Sequence, residues 1–176
     1  MRSKKEKISS TQEHKAKAAE QGPVGVAIVT VSDTRTKDDD VNGLYLKNQI
    51  QESGNRTEAY HIVKDEPNEI EEVLERLVKS KAQVIIFNGG TGISKRDRTF
   101  DLLNKKFEKT LPGFGEIFRM LSYNQVGAAA MFSRAAAGIY KGKVILSTPG
   151  SPQAVTLVWE KLIAPELPHL AWEINR

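Results

Sequence analysis

The sequence predicts an α/β fold: a mostly parallel central sheet covered by helices on both faces, a three-layer α/β/α arrangement. Three observations carry that expectation. Short apolar runs rich in β-branched residues alternate with segments of helical periodicity. Polar or glycine-rich loops follow three of those runs. The 176 residues are enough to bury roughly 70% of the surface of the unfolded chain, so the fold needs no disulfide or metal staple.

The elements follow in order. Gly22-Pro23 closes a polar leading segment. Residues 24–31 (VGVAIVTV) suit a buried parallel strand. Residues 32–40 (SDTRTKDDD) form a polar loop at its carboxyl end. Leu44, Leu46 and Ile50 mark a helix of about three turns that Gly54 stops. Residues 56–63 favour a second strand through Tyr60, Ile62 and Val63. After Asp65-Glu66-Pro67-Asn68, the residues Ile70, Val73, Leu74, Leu77 and Val78 recur at helical spacing. Residues 82–87 (AQVIIF) form the third strand, broken sharply by NGGTG at 88–92.

Beyond it, residues 100–103 start a helix, residues 111–115 (LPGFG) read as a turn, and 116–123 are helical. Residues 128–131 and 135–140 are open between helix and strand. Residues 143–147 (KVILS) are a further strand. Ser151 before Pro152 is a helix start, because serine caps the first turn and proline loses nothing at its first position. Val155, Val158 and Leu162 point that helix inward; Pro165 ends or kinks it, and a last short helix runs to about Trp172. Residues 1–23 are expected to be a flexible basic tail and residues 24–176 a single domain.

Composition narrows the function classes. With no cysteine, thiol catalysis and Cys-ligated metal are excluded. Apolar residues are 39% and charged residues 27%, and mean hydropathy is -0.42, ordinary values for a cytoplasmic protein without a membrane span or signal segment. Net charge is +4, and part of it sits in the tail at Arg2, Lys4, Lys5, Lys7, Lys15 and Lys17. A solvated tail explains this better than a nucleic-acid site, since the rest is nearly neutral. His14, His61 and His169 show no ligand spacing that would announce a zinc site.

Ligands of open α/β sheets bind beyond the carboxyl ends of the strands, where residues 32–40, 88–98 and 148–151 converge. In NGGTGISKRDR, Gly89, Gly90 and Gly92 allow close backbone approach, and Lys95, Arg96 and Arg98 bring positive charge. Asp97 among them is a natural Mg²⁺ ligand beside bound phosphate. A tight turn with a solvated charge cluster remains the other account of the same spacing. The loop has neither P-loop nor dinucleotide-fold spacing. On residue type alone, Asp65 is a helix cap or first-turn acid. Asp38, Asp39 and Asp40 read as solvated charge, with metal binding as the alternative. Ser133-Arg134 marks close packing or a second anion site, and Trp159 and Trp172 are core or interface aromatics.

Six fragments stand in order: TVSDTRT at 30–36, IVKDE at 62–66, NGGTGISKRD at 88–97, PGFGEIFRMLS at 112–122, SRAAAG at 133–138 and PGSP at 149–152. Together they resemble the MoaB/MogA molybdenum cofactor biosynthesis family, to which the gephyrin G domain is related, and FGEIFRMLSY with LIAPELPHL resembles its MoaB branch. The resemblance covers about residues 24–173. It implies a molybdopterin-binding domain that transfers AMP from ATP to the terminal phosphate of molybdopterin with Mg²⁺, releasing pyrophosphate. Asp65 and Asp97 then carry catalysis and the metal. Ser32, Asp33, Gly89, Gly90, Thr91, Gly92, Pro149, Gly150 and Ser151 hold the nucleotide phosphates, and Ser122, Ser133 and Arg134 hold the pterin. Asn42 stands where relatives tend to have serine. The resemblance further implies a homotrimer or hexamer, with the metal-insertion enzyme as a partner. The alternative is a non-catalytic pterin-binding or scaffold protein of the same fold.

Overall fold

The computed structural model describes residues 10–176; Arg2, Lys4, Lys5 and Lys7 of the expected tail lie outside the described residues. The elements are α1 (Ser10–Ala19), β1 (Gly25–Val31), α2 (Val41–Glu52), β2 (Arg56–Val63), α3 (Pro67–Leu77), β3 (Val84–Asn88), α4 (Thr99–Lys106), β4 (Lys109–Thr110), α5 (Pro112–Val126), β5 (Ala136–Tyr140), β6 (Lys143–Thr148), α6 (Pro152–Val158) and α7 (Ala164–Glu173). A 3₁₀ segment, Gly127–Phe132, follows α5, and a π-helical turn, Trp159–Ile163, joins α6 to α7. No helix among the described residues is long and apolar enough to cross a membrane.

The six-stranded sheet has the order β2-β1-β3-β6-β5-β4. The first four are mutually parallel, and β5 and β4 add antiparallel pairs at one side. Strand β1 is buried on both faces, and its side chains alternate between two cores. Val26 and Ile28 pack with Leu46, Ile50, Phe118, Trp159, Ile163 and Leu167, from α2, α5 and the carboxyl-terminal helices. Ala27, Val29 and Val31 pack with Ile70, Val73, Leu74, Leu77 and Leu103, from α3 and α4. These are the three layers. Trp159 is fully in the first core, so it is a packing residue and not an exposed aromatic.

Two local expectations are corrected, and one segment left open is settled. The LPGFG turn is the first turn of α5: Pro112 sits at its start, where a missing N–H costs nothing, and Gly115 packs against the carbonyl of Ala135. The segment open between helix and strand becomes β5, because Lys141 (φ 46°) and Gly142 (φ 71°) make a two-residue hairpin that pairs Tyr140 with Lys143. The helix that Ser151 starts gives way before Pro165, at the π turn from Trp159, and the proline occupies the first turn of α7.

The described part of the expected tail is also ordered. Helix α1 lies against α7 with Ala18 buried, Lys15 paired with Glu166, and His14 3.0 Å from Glu173. A polar helix gains little by itself in water; here contacts with a distant helix supply what its own sequence lacks.

Candidate functional site

Because β1, β2, β3 and β6 are parallel, the loops after them share one edge of the sheet. Strand order reverses between β1 and β3, and that switch point opens the crevice where such sheets bind ligands. A buried polar network knits the loops there. Asn88, closing β3, donates to Thr30 Oγ1 at 3.0 Å, and Thr30 donates to Asp40 at 2.5 Å. Asp40 also accepts from Tyr60 Oη at 2.7 Å and from the N–H of Gly43, capping α2. Asn42 reaches across to the carbonyl of Gly150 at 2.8 Å. Asp40 is therefore no solvated charge but a buried acceptor, unlike exposed Asp38 and Asp39. Burial, and next the Asp40 carboxylate, push the Tyr60 phenol well above its ordinary pKa.

The glycine loop is built so that only glycine fits. Gly89 (φ 111°) donates to the Thr148 carbonyl, and a Cβ there would collide with the carbonyl of Val31. Gly90 (φ 64°) passes over Thr99 and Asp65, with room for a Cβ only 2.8 Å from Asp65 Oδ2. Gly92 passes over Asp97, where a Cβ would sit 2.5 Å from Oδ2. The two candidate carboxylates thus lie directly beneath one loop.

Their bonding differs. Asp65 is buried and caps α4 from outside: it accepts from the N–H of Thr99 (2.9 Å), from Thr99 Oγ1 (2.7 Å) and from the N–H of Arg98 (3.2 Å). The cap expected on residue type is real, but the helix it caps is the one after the glycine loop. Asp97 accepts from the N–H and Oγ of Ser94 through Oδ2 alone, leaving Oδ1 for a ligand. Mg²⁺ asks for one or two carboxylates and completes its shell with water and phosphate oxygens. Each carboxylate keeps an oxygen of the kind that ion takes: Asp97 Oδ1, and Asp65 Oδ2, which carries only the Arg98 bond.

The other expected residues fall into two groups. Asp33 accepts from the Asp65 N–H at 3.3 Å and pairs with Arg96 at 2.9 Å; the Arg96 hydrogen bond is the main reason its carboxyl is held below the usual range. Arg96 is also tied to Glu66, so two carboxylates from neighbouring loops hold this exposed cation. Ser32 turns the chain, its Oγ accepting from the N–H groups of Thr34 and Arg35. Ser122, Ser133, Pro149 and Ser151 line a separate open groove of about 810 Å³, with Ser151 capping α6. Gly150 joins the two groups, resting on Gly89.

Arg134 is not directed into that groove. It donates to the carbonyls of Thr91 (3.0 Å) and Gly92, pairs with Asp101 at 3.0 Å, and lies 4.6 Å from the centre of the Phe100 ring. It clamps the glycine loop from the groove side. Gln125, Gln153, Thr156 and Lys161 also line the groove and were not anticipated. Lys161 had no motif to announce it. Asn88 was legible as an amide closing an otherwise apolar strand.

A mostly parallel α/β sheet with a glycine loop over two carboxylates at its switch point, and a serine-lined groove beside them, is built to take a ligand at the carboxyl edge of its strands. The comparisons narrow this. A family model described as "Probable molybdopterin binding domain" matches residues 27–169, and the chain belongs to that family. It is 45% identical to molybdenum cofactor biosynthesis protein B of Bacillus subtilis over 169 residues, covering 95% of this chain and 98% of that one. Among solved structures it resembles a molybdenum cofactor biosynthesis protein B (TM-score 0.84, 44% identity, 88% and 97% of the two chains). It also resembles the tungsten cofactor synthesizing protein MoaB of Pyrococcus furiosus (TM-score 0.81, 34% identity, 88% and 98%).

Proposed function

We propose that the chain acts in molybdenum cofactor biosynthesis as an adenylyltransferase, moving AMP from Mg²⁺-ATP to the terminal phosphate of molybdopterin. The observation that carries this reading is the placement of Asp65 and Asp97 directly under the glycine loop, at the edge shared with the serine-lined groove. A phosphate oxygen of the pterin attacks the α-phosphorus of ATP; the bond from that phosphorus to the bridging oxygen breaks, and pyrophosphate leaves. The nucleophile is already an anion, so no histidine, cysteine or serine base is required. Mg²⁺, when bound, neutralises charge on the phosphate oxygens. The chain's own task is alignment: Asp97 offers Oδ1, Asp65 fixes the start of α4 and the loop above it, and Arg134 holds the loop's carbonyls turned away from incoming phosphates. The groove with Ser122 and Ser133 takes the pterin, and the product passes to the metal-insertion enzyme.

The second reading, a pterin-binding protein without catalysis, is favoured by one observation: Asp65 already has hydrogen-bond donors on both oxygens. Asp97→Asn and Asp65→Asn distinguish the two. Each is expected to lower molybdopterin-dependent pyrophosphate release by about 10²–10³, roughly 3–4 kcal/mol, while pterin affinity holds. A wild-type chain that binds pterin and releases no pyrophosphate from ATP would establish the second reading.

The same reading makes the chain a homotrimer or hexamer. Ile117, Met120, Tyr123, Val126, Met131 and Phe132 are exposed on α5 and the 3₁₀ segment, an apolar stripe of the kind that marks an interface.

A further inference from the structure

Far from the glycine loop, at the edge of the sheet where the strands begin, the polar face between α1 and α7 holds a second cluster. His14 Nδ1 lies 3.0 Å from Glu173 Oε1, and His169 Nε2 lies 3.4 Å from the same oxygen. The three ligand atoms all fall within 4.8 Å of one another. Four-coordinate zinc with bonds of about 2.0–2.1 Å sets neighbouring ligand atoms roughly 3.4 Å apart, so small side-chain adjustments would seat the ion.

Two further observations point to a ligand. His169 Nε2 is closed off from solvent and makes no well-aligned hydrogen bond among the described residues, its nearest charged partner being Glu173 Oε1 at 3.4 Å. Its other nitrogen, Nδ1, lies 3.0 Å from Glu166 Oε2. A carboxylate behind a histidine fixes the ring and leaves the far nitrogen's lone pair for a metal, the usual arrangement around ligating histidines. The opposing charges are Lys15, already paired with Glu166, and Arg176, 3.4 Å from Glu173 and 5.4 Å from the centre of the Trp172 ring. The groove of about 590 Å³ lined by His169, Glu173, Leu170 and Ile174 gives solvent a path to the fourth position.

The geometry points to a zinc site formed by His14, His169 and Glu173, with water as the fourth ligand, that staples α1 onto α7. Two imidazoles and one carboxylate select a borderline ion over Mg²⁺, which prefers oxygen ligands, so the site is chemically separate from the carboxylates under the glycine loop.

The test is calorimetric titration of the untagged full chain with zinc chloride, in excess Mg²⁺ to occupy the oxygen sites. One zinc per chain is expected. Affinity should fall more than tenfold in His14→Ala and in Glu173→Gln, and about 10–100-fold in Glu166→Gln, which removes only the supporting carboxylate. Zinc should also slow tryptic cleavage after Lys15 and Lys17 in the wild type and not in His14→Ala. All three variants change surface side chains, and unaltered circular dichroism confirms folding. Absence of stoichiometric binding, or binding undiminished by His14→Ala, overturns the proposal.

Discussion

Tyr60 shows how one residue links the fold to its site. Its hydroxyl donates to Asp40, which in turn holds Thr30 and the first turn of α2. Burial first, and then the carboxylate, raise the phenol's pKa in the folded state. The folded protein therefore binds this proton more tightly than the unfolded chain does. The contribution is fully present below the ordinary tyrosine pKa of about 10 and is lost as pH rises from there through the raised folded value. Tyr60→Phe removes that dependence and costs about 0.5–1.5 kcal/mol at neutral pH, the net worth of one hydrogen bond. Urea midpoints of wild type and variant, compared from pH 8 to about 11, are expected to converge as pH rises. The acidic run itself did not reveal this: DDD is uniform in sequence, and only the approach of β2 to β1 buries its third member.

At the scale of elements, the strands and the helix over α3 were legible because burial on two faces selects unbroken β-branched runs and burial on one selects a helical stripe. What stayed closed depended on contacts between elements. Gly138 lies where a Cβ would strike the Phe107 ring, so an alanine- and glycine-rich segment with helical propensity becomes β5. The six motif fragments placed the glycine loop, the carboxylates and the groove serines at one edge. They could not show that Arg134 turns back to the loop, since its partners Thr91 and Asp101 lie more than thirty residues away. Helix α5 carries the stripe assigned to self-association. Met120→Glu with Tyr123→Glu should leave each chain folded and reduce the mass from light scattering to that of a monomer. A wild-type chain that already runs as a monomer would remove that assignment.

For the whole molecule, the composition of the leading segment suggested a flexible tail, whose removal would cost the fold nothing. The docked α1 changes the expected outcome. Its ion pairs are exposed, and each is worth about 0–1 kcal/mol. Yet α1 also covers Trp172, whose ring lies 4.9 Å from that of His14, and buries Ala18. Deleting residues 1–21 is expected to cost about 1–2 kcal/mol, seen as a fall in Tm of roughly 2–8 °C, while the proposed AMP transfer is left unaltered because α1 lies at the opposite edge. A deletion without thermal effect would show that α1 does not stay docked in solution.

The π turn between α6 and α7 has a consequence for angular phase. The buried residues Val155, Trp159, Ile163, Leu167 and Ala171 recur at every fourth position. On an ideal α-helix each fourth residue overshoots a full turn by about 40°, so such a stripe would wind steadily off the sheet. The i→i+5 bonding of Trp159–Ile163 turns the backbone less per residue and brings the stripe back into phase. One turn of backbone therefore aims both ends of the same rod: Ser151 into the groove at its start, and His169 and Glu173 toward His14 at its finish. The turn thereby sets the rotation of α7, which carries His169 and Glu173, relative to α6, which Ser151 caps.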